Sequence, residues 1–190
     1  MRKLLSKWRV RLGHIFTLLL VFFARPEAVS LAVGCLIALA GEVFRIYSAG
    51  CIDKNQALAR TGPYRWTRNP LYFGSFLLFF GLSIASGNPV IVAVFIPAFY
   101  LIYGSTIALE EKFIREKFGK DFEAFTGEVP RFFPVPRFPR GLGGGFRWSR
   151  VGLNHEYEGA AAFVVVAGIL CAEFLMKFSP YNYLLELFLK

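Results

Sequence analysis

The sequence is poor in the residues that build metal centres and disulfide frameworks. It has two histidines and three cysteines among 190 residues. Cys35, Cys51 and Cys171 show no CxxC or other ligand spacing, and two of them lie in apolar blocks. Cysteines in such surroundings behave as small hydrophobic residues. The composition therefore predicts neither a bound metal nor a disulfide-stabilised domain.

Acidic residues are also scarce, with 13 Asp and Glu against 22 Lys and Arg, which gives a net charge of +9. An excess of this kind can indicate a nucleic-acid-binding protein. Here, however, the basic residues fall between long apolar blocks, and a charge at mid-bilayer costs about 3 kcal/mol on insertion scales. The distribution is typical of a multi-pass membrane protein, and we expect the lipid bilayer, and no nucleic acid, as the partner of this charge.

Apolar residues make up 55% of the chain, and 22 residues are Phe. Their grouping predicts an all-α transmembrane helix bundle that forms one integral-membrane domain over residues 1–190. The five predicted spans cover residues 12–24, 29–48, 70–86, 89–109 and 159–176. Residues 110–150 are predicted to form a cytoplasmic segment that caps a cofactor, with a helix followed by a Pro/Gly-rich stretch.

The orientation follows from the basic residues between the spans. The N-terminal tail holds five Lys or Arg, residues 49–69 hold four, and residues 110–150 hold nine. The turns on the other side hold only Arg25 in one case and no basic residue in the other. The positive-inside rule places the N-terminus and all three basic segments in the cytoplasm. We expect a multi-pass protein of a prokaryotic cell membrane.

The stretch GPYRWTRNPLYFGS at residues 62–75 carries the start of the third span. Asn69 is a preferred N-cap residue and Pro70 suits the first helical position. Gly74 permits a close approach to the backbone. The amides of the first turn are expected to lack helical acceptors and to face an anion; they belong to Leu71, Tyr72 and Phe73.

The fourth span is predicted to end at Glu110 and Glu111, where the helix dipole is already negative. Because neighbouring spans are antiparallel, these acids should lie level with Arg68 and the start of the third span. This juxtaposition suits a zwitterion, such as the amino-acid end of S-adenosylmethionine, or a phospholipid headgroup. An equally open interpretation is a structural cap beside a solvated acidic face paired with Lys112 or Arg115.

Two linked stretches, GPYRWTRNPLYFG and EEKFIREKFGKDFEAFTGEVPRFFP, carry a family resemblance over residues 62–134. They resemble the isoprenylcysteine carboxyl methyltransferase and phospholipid methyltransferase group of integral-membrane enzymes. The resemblance implies S-adenosylmethionine-dependent methyl transfer to a lipophilic or membrane-associated small molecule, with the cofactor at the cytoplasmic face. Glu110 is the expected catalytic residue. The expected cofactor-binding residues, which include Leu71 through its amide, are Tyr64, Arg68, Asn69, Leu71, Tyr72, Gly74, Glu110, Glu111 and Arg131.

The sequence departs from that family at four positions, two of which, Phe122 and Phe125, stand where the family usually has Tyr. Asn69 stands where the family has His, and Thr106 stands where the family has an Arg before the paired glutamates. If that Arg holds a substrate carboxylate, this chain lacks the means to do so. An NADPH-dependent membrane reductase of related fold, and a non-catalytic scaffold with a decayed site, therefore stay open as alternatives.

Two charged residues lie inside the second predicted span. Glu42 and Arg45 are three positions apart and can pair on one helix face. Ionisable residues within a membrane are candidates for function, so we expect both to face the substrate; a pair that only fixes helix packing is the alternative. Further along, Asn154 is expected to cap the fifth span, and the tail from residue 179 to 190 is expected to form an interfacial helix.

Overall fold

The computed structural model describes residues 2–53, 58–135, 145–177 and 179–189, and residues 136–144 of the predicted capping segment lie outside these ranges. Within them the chain is helical. The helices are α1 (Arg2–Phe22), α2 (Ala28–Gly50), α3 (Pro70–Ala85), α4 (Pro89–Phe118), α5 (Lys120–Glu128), α6 (Trp148–Leu153), α7 (Glu156–Met176) and α8 (Pro180–Phe188), with a 3-10 turn at Gly62–Arg65.

Three helices are long and apolar enough to cross a bilayer by length and composition, namely α2, α4 and α7. The apolar part of α1, Val10–Phe22, and the 16-residue α3 are shorter. The predicted multi-pass membrane helix bundle is thus confirmed. The count of five spans stays a prediction, because about 20 residues of helix are needed to cross the hydrocarbon core.

The short turns of the bundle meet at one end. The backbone N–H of Arg25, between α1 and α2, donates to the carbonyl of Ser86, between α3 and α4, at 2.6 Å. The side chain of Asn88 caps α4 and also donates to the carbonyl of Phe23 at 2.9 Å. The ring of Tyr181 in α8 lies 5.4 Å from that of Phe23. Residues 58–69 and 110–135, which carry much of the basic charge, meet at the opposite end.

Helices α2 and α3 are in backbone contact along a seam of small residues. A Cβ on Gly81 would lie 2.3 Å from the backbone nitrogen of Ala38, and one on Gly34 would lie 2.3 Å from that of Ala85. Small residues of this kind let membrane helices approach closely. The buried apolar core surrounds the seam and includes Leu20, Leu78, Leu82, Val166 and Leu170. The seam fixes the register between α2 and α3, and therefore the relative height of their side chains at the basic end.

Helix α4 continues beyond the paired glutamates, so the prediction that it ends at Glu110 and Glu111 is wrong. Residues 112–118 are mostly good helix formers, and the helix ends only at Gly119, whose φ of +50° suits glycine. Glu110 and Glu111 lie more than a turn before that end, so the helix dipole does not act on them as the sequence suggested. Their partners must be found in side-chain contacts.

Candidate active site

A cavity of about 410 Å³ lies at the basic end of the bundle. Its walls come from the ends of α2, α3, α4 and α7, from the 3-10 turn and from α5. This volume falls within the roughly 300–1,000 Å³ of small-molecule sites. The predicted residues that line the cavity are Arg45, Tyr64, Arg68, Asn69, Leu71, Tyr72 and Glu110. The predicted residues outside its lining are Glu42, Gly74, Glu111 and Arg131.

One wall joins the start of α3 to the first of the paired glutamates. The hydroxyl of Tyr72 donates to Oε1 of Glu110 at 2.7 Å. The ring of Tyr103, two turns before Glu110 on α4, lies 5.7 Å from the ring of Tyr72 at a steep angle. The antiparallel hairpin therefore brings the helix start and Glu110 to the same height, and it places the Glu110 carboxylate against the Tyr72 hydroxyl in the cavity wall.

The second glutamate is occupied by protein donors. Oε1 of Glu111 accepts from Nε of Arg68 and from Nδ2 of Asn69, each at 3.0 Å. Oε2 of Glu111 pairs with Nε of Arg131 at 3.1 Å. Both oxygens are committed within the protein. Glu111 thus ties the start of α3 to the chain that follows α5.

Arg68 completes the same connection. Its Nη1 donates to the carbonyls of Thr126 and Val129, at 3.0 and 3.1 Å, and its backbone N–H donates to the carbonyl of Pro130 at 2.9 Å. Basic side chains commonly satisfy the last carbonyls of a helix in this way. The charge of Arg68 is therefore used to hold α5 and the following residues over the cavity.

Asn69 occupies the predicted N-cap position of α3, with Pro70 as the first helical residue. Its side chain, however, does not cap the helix. Instead its Nδ2 donates to Glu111 and to the carbonyl of Arg131, the latter at 2.9 Å. The contact across the hairpin takes the place of the local cap because it satisfies a carboxylate that would otherwise lack this donor.

Fewer first-turn amides of α3 lack an acceptor than the sequence predicted. The N–H groups of Tyr72 and Phe73 donate to the carbonyl of Asn69, at 3.1 and 3.0 Å. The expectation that both face an anion is therefore wrong, because the tight first turn gives them an acceptor. The Leu71 amide is left from the predicted set, and Leu71 lines the cavity.

A second polar group lies where α2, α3 and α7 meet. Nη2 of Arg45 donates to Oε2 of Glu156 at 2.8 Å, and Nε reaches the same oxygen at 3.3 Å. Nη1 donates to Ser75 at 3.3 Å, and Oε2 of Glu42 lies 3.7 Å from Nε. The predicted contact between Glu42 and Arg45 is present, but Glu156 is the closer partner of Arg45.

Glu156 was missed because it reads as an ordinary acidic residue in the first turn of a helix. The signal that could have found it is Arg45, since a guanidinium inside a span requires more than one partner. The prediction that Asn154 caps α7 is wrong, because its side chain donates instead to the carbonyl of Ala49 at 3.0 Å. His155 precedes the helix in a left-handed conformation. This turn aims Glu156 at α2.

Gly74 serves the packing of Arg45. A Cβ at Gly74 would lie 2.5 Å from Cγ of Arg45 and 2.9 Å from the carbonyl oxygen of Gly41. The absent side chain of Gly74 thus gives Arg45 its path along α3 toward the cavity. The close approach to backbone predicted at this glycine is present, and the Arg45 side chain of α2 lies closer still.

Tyr64 presents a buried hydroxyl to the cavity. The residue is 5% exposed, and its hydroxyl has no hydrogen-bond partner among the described residues. Burial raises the pKa of Tyr64 well above its ordinary value, and the nearby Cys51, Glu156 and Glu110 raise it further. Buried hydroxyls are nearly always bonded, so an orphan in a cavity wall marks a place where a ligand can supply the partner.

The outer part of the cavity is apolar. Phe122, Phe125 and Val129 form a buried cluster against Ile114 and Phe118. Phe113 and Phe118 of α4 line the cavity together with Phe122 and Phe125 of α5. Within the described ranges, no group of three His, Cys, Asp or Glu side chains could hold a metal ion.

Comparison with known proteins adds the family. The chain matches the phospholipid methyltransferase family (PEMT) over residues 29–121. It is 30% identical to the cobalt-zinc-cadmium resistance protein CzcN of Cupriavidus metallidurans over 147 residues, which are 74% of this chain and 68% of that protein. It is 27% identical to the protein-S-isoprenylcysteine O-methyltransferase of Saccharomyces cerevisiae over 109 residues, 51% of this chain and 46% of the yeast protein.

A second resistance protein, the nickel-cobalt-cadmium resistance protein NccN of Alcaligenes xylosoxydans xylosoxydans, is 29% identical over 67% of this chain and 62% of its own length. The chain thus spans about two thirds of the resistance proteins and less than half of the yeast methyltransferase. No solved structure matches it significantly. From these matches and the residues above, the chain belongs to the isoprenylcysteine carboxyl methyltransferase and phospholipid methyltransferase family of integral-membrane proteins.

Proposed function

We propose that this protein transfers the methyl group of S-adenosylmethionine to a lipophilic or membrane-associated small molecule in the cavity at the basic end of the bundle. The observation that carries the proposal is the pair of Glu110 and Tyr72 in the cavity wall, together with the orphan hydroxyl of Tyr64. The basic segments at this end favour the cytoplasmic face. Similarity to proteins of Cupriavidus and Alcaligenes supports a prokaryotic membrane. The five basic residues of the N-terminal tail favour a cytoplasmic N-terminus.

The cavity offers groups of the kinds that this methyl donor requires. Glu110 would hold a cationic group of the donor, since only its Oε1 is engaged by Tyr72. The Leu71 amide, at the positive end of α3, would face the donor carboxylate. The rings of Tyr72, Tyr103 and Phe113 line the cavity and suit an adenine or a sulfonium. When bound, S-adenosylmethionine supplies an electrophilic methyl group.

Four further residues predicted to bind the cofactor would position the cavity walls and would not contact the cofactor themselves. Arg68, Asn69, Glu111 and Arg131 join the start of α3 to the chain after α5. In this proposal they hold α5 over the cavity, so that the reacting groups are oriented and kept from water. Glu110 keeps the direct role, because its carboxylate is in the wall and Glu111 is not.

The acceptor would enter the apolar part of the cavity. Phe113, Ile114 and Phe118 of α4 line it together with Phe122 and Phe125 of α5. Such walls suit a molecule with a hydrophobic portion delivered from the bilayer. The yeast relative is named for methylation of isoprenylcysteine, but only part of its length is shared. Whether this chain uses that acceptor depends on how it would hold a carboxylate.

The position expected to supply an arginine offers no charge here. Thr106 is buried, and its hydroxyl donates to the carbonyl of Ile102 on its own helix at 2.9 Å. A threonine bonded back to its helix presents little to a substrate. We therefore place the acceptor among molecules other than those held through a carboxylate at this position.

Calorimetric titration of the detergent-purified protein with S-adenosylhomocysteine and with NADPH tests the proposal. We expect S-adenosylhomocysteine to bind, and Glu110→Gln to weaken it by about 1–3 kcal/mol, roughly 5- to 150-fold, the scale of a lost charge-assisted bond. Glu116→Gln, at an exposed position on the same helix, is the control and should bind as the wild type does. Binding of NADPH alone would favour the reductase, and binding of neither would favour the scaffold.

A further inference from the structure

The cluster of Glu42, Arg45 and Glu156 holds more acid than base. Arg45 is the one cation among these three side chains, and Glu42 and Glu156 are 3% and 6% exposed. Glu110 adds a further carboxylate to the same cavity wall. Charges removed from water in this way require partners. The donors of Arg45 already bond Glu156 and Ser75, and Oε2 of Glu42 lies 3.7 Å from Nε without a hydrogen bond.

The two other cations of the cavity lining that could face an anion are placed differently. Arg68 is bonded to Glu111 and to carbonyls after α5. Lys117 lies over the ring of Phe118, near the end of α4. It is about 21 Å further along that helix than Tyr103, at 1.5 Å per residue. Near Tyr103 and Tyr72, the guanidinium of Arg45 is therefore the cationic side chain that an acceptor carboxylate would have to reach.

Glu156 blocks that approach with one oxygen and offers the other. Both bonds from Arg45 fall on Oε2 of Glu156, which leaves Oε1 for a different donor. Glu156 lines the cavity, and one turn along α7 the position of Gly159 carries no side chain. A Cβ there would lie 3.2 Å from Nη2 of Arg45 and 3.5 Å from Oε1 of Glu42. The glycine thus leaves room for the cluster to pack.

An independent observation indicates that a ligand belongs beside this cluster. The hydroxyl of Tyr64 is buried, lacks a partner among the described residues and lines the same cavity. Both Glu156 and Glu110 act electrostatically on it. A polar ligand atom bound in the cavity beside Tyr64 would satisfy this hydroxyl, which the described residues leave without a bond.

These contacts discriminate between acceptors. A carboxylate could reach Arg45 only by displacing Glu156, and the displaced glutamate would then remain buried without its cation. Leaving one member of a buried ion pair unpaired is strongly unfavourable. A nucleophile that carries a proton needs no such displacement, because it can donate that proton to Oε1 of Glu156 as a hydrogen bond.

We propose that Glu156, by holding Arg45, makes the cavity select acceptors whose nucleophile is an amine, hydroxyl or thiol over acceptors whose nucleophile is a carboxylate. This inference rests on the proposed methyl transfer. In the step, the sulfur–methyl bond of the donor breaks with its electron pair going to sulfur, the nucleophile–methyl bond forms, and the proton of the nucleophile passes to Glu156. The carboxylate of Glu156 touches the acceptor and is then a catalytic residue.

The test compares four six-carbon probes: hexylamine, hexan-1-ol, hexane-1-thiol and hexanoate. Binding to the purified protein without a donor is measured by saturation-transfer NMR, and methylation is measured with tritiated S-adenosylmethionine. We expect the wild type to bind and methylate at least one proton-bearing probe and to reject hexanoate. Glu156→Gln should bind hexanoate at least tenfold more tightly than the wild type does, because it frees Arg45. A misfolded variant would not gain affinity.

Glu158→Gln is the matched control on the same helix, since the Glu158 side chain is 69% exposed. It should keep the wild-type preference. The inference is overturned if the wild type binds hexanoate as tightly as it binds the other probes. It is also overturned if Glu156→Gln discriminates against hexanoate as the wild type does. If Glu156→Gln does not fold, the wild-type comparison alone decides. Titration of the same samples with S-adenosylhomocysteine separates the two proposals: donor binding without probe selectivity refutes only this one.

Discussion

Replacing Glu by Gln should have different effects at the two paired glutamates. Glu111→Gln removes a charge that serves Arg68, Asn69 and Arg131, and it leaves the guanidinium of Arg68 without its carboxylate. The side chains of Arg68 and Glu111 are 13% and 15% exposed. We expect Glu111→Gln to lower the stability of the protein, and Glu110→Gln to act mainly on donor affinity.

The magnitude for Glu111 lies between two known limits. Removing one partner of a buried ion pair costs about 3–5 kcal/mol, whereas exposed pairs contribute about 0–1 kcal/mol. Arg131 is 48% exposed and adds little, so the contacts with Arg68 and Asn69 dominate. An intermediate loss of about 2 kcal/mol corresponds to a midpoint lowered by roughly 4–8 °C for a chain of this size.

Thermal unfolding of the detergent-purified variants measures this loss, with tryptic cleavage at Lys120 and Arg131 as a second readout. Cleavage there should quicken in Glu111→Gln, because the chain after α5 loses its attachment to α3. Glu116→Gln should leave both readouts unchanged. The reasoning fails if Glu111→Gln unfolds with the midpoint of that control while losing donor affinity as Glu110→Gln does. Glu111 would then contact the donor.

Two further substitutions test the packing and the cavity. Gly81→Ala places a Cβ 2.3 Å from the backbone of Ala38 and should destabilise the protein by about 1–3 kcal/mol. Gly104→Ala, with nothing within 4 Å of the new Cβ, should stabilise α4 by about 0.5–1 kcal/mol. Unfolding midpoints that shift in the same direction in both variants would contradict the close contact of α2 and α3. Tyr64→Phe removes the hydroxyl that lacks a partner, so it should raise the unfolding midpoint of the ligand-free protein and weaken the binding of S-adenosylhomocysteine. Tyr100→Phe, at an exposed tyrosine, is the control. A lowered midpoint with unchanged affinity would show that the Tyr64 hydroxyl is satisfied within the protein.

The sequence predicted the helices of the bundle well because apolar blocks and Asn-Pro starts are local signals. Asn69-Pro70 and Asn88-Pro89 begin α3 and α4 as expected. The prediction ends α4 too early, because it treats a pair of glutamates as a boundary although no helix breaker lies between Glu111 and Gly119. Helix ends that depend on solvated polar residues carry a weaker signal than those that begin with proline.

The site was predictable in outline and not in the role of each residue. The position of Glu110 level with the start of α3 followed from two antiparallel helices joined by a short turn, and the contact with Tyr72 is the form it takes. The division between Glu110 and Glu111 did not, since it depends on which helix face meets Arg68 and the chain after α5. Glu156 lies 111 positions from Arg45, and only the packing of α7 against α2 brings them together.

Photolabelling most directly tests whether the cavity binds a methyl donor. The purified protein would be irradiated with tritiated S-adenosylmethionine, with and without excess S-adenosylhomocysteine, and the labelled peptides would be mapped. We predict label, suppressed by the competitor, within residues 64–72 or 103–118, which line the cavity. Label confined to other segments, or label that the competitor does not reduce, would contradict the account.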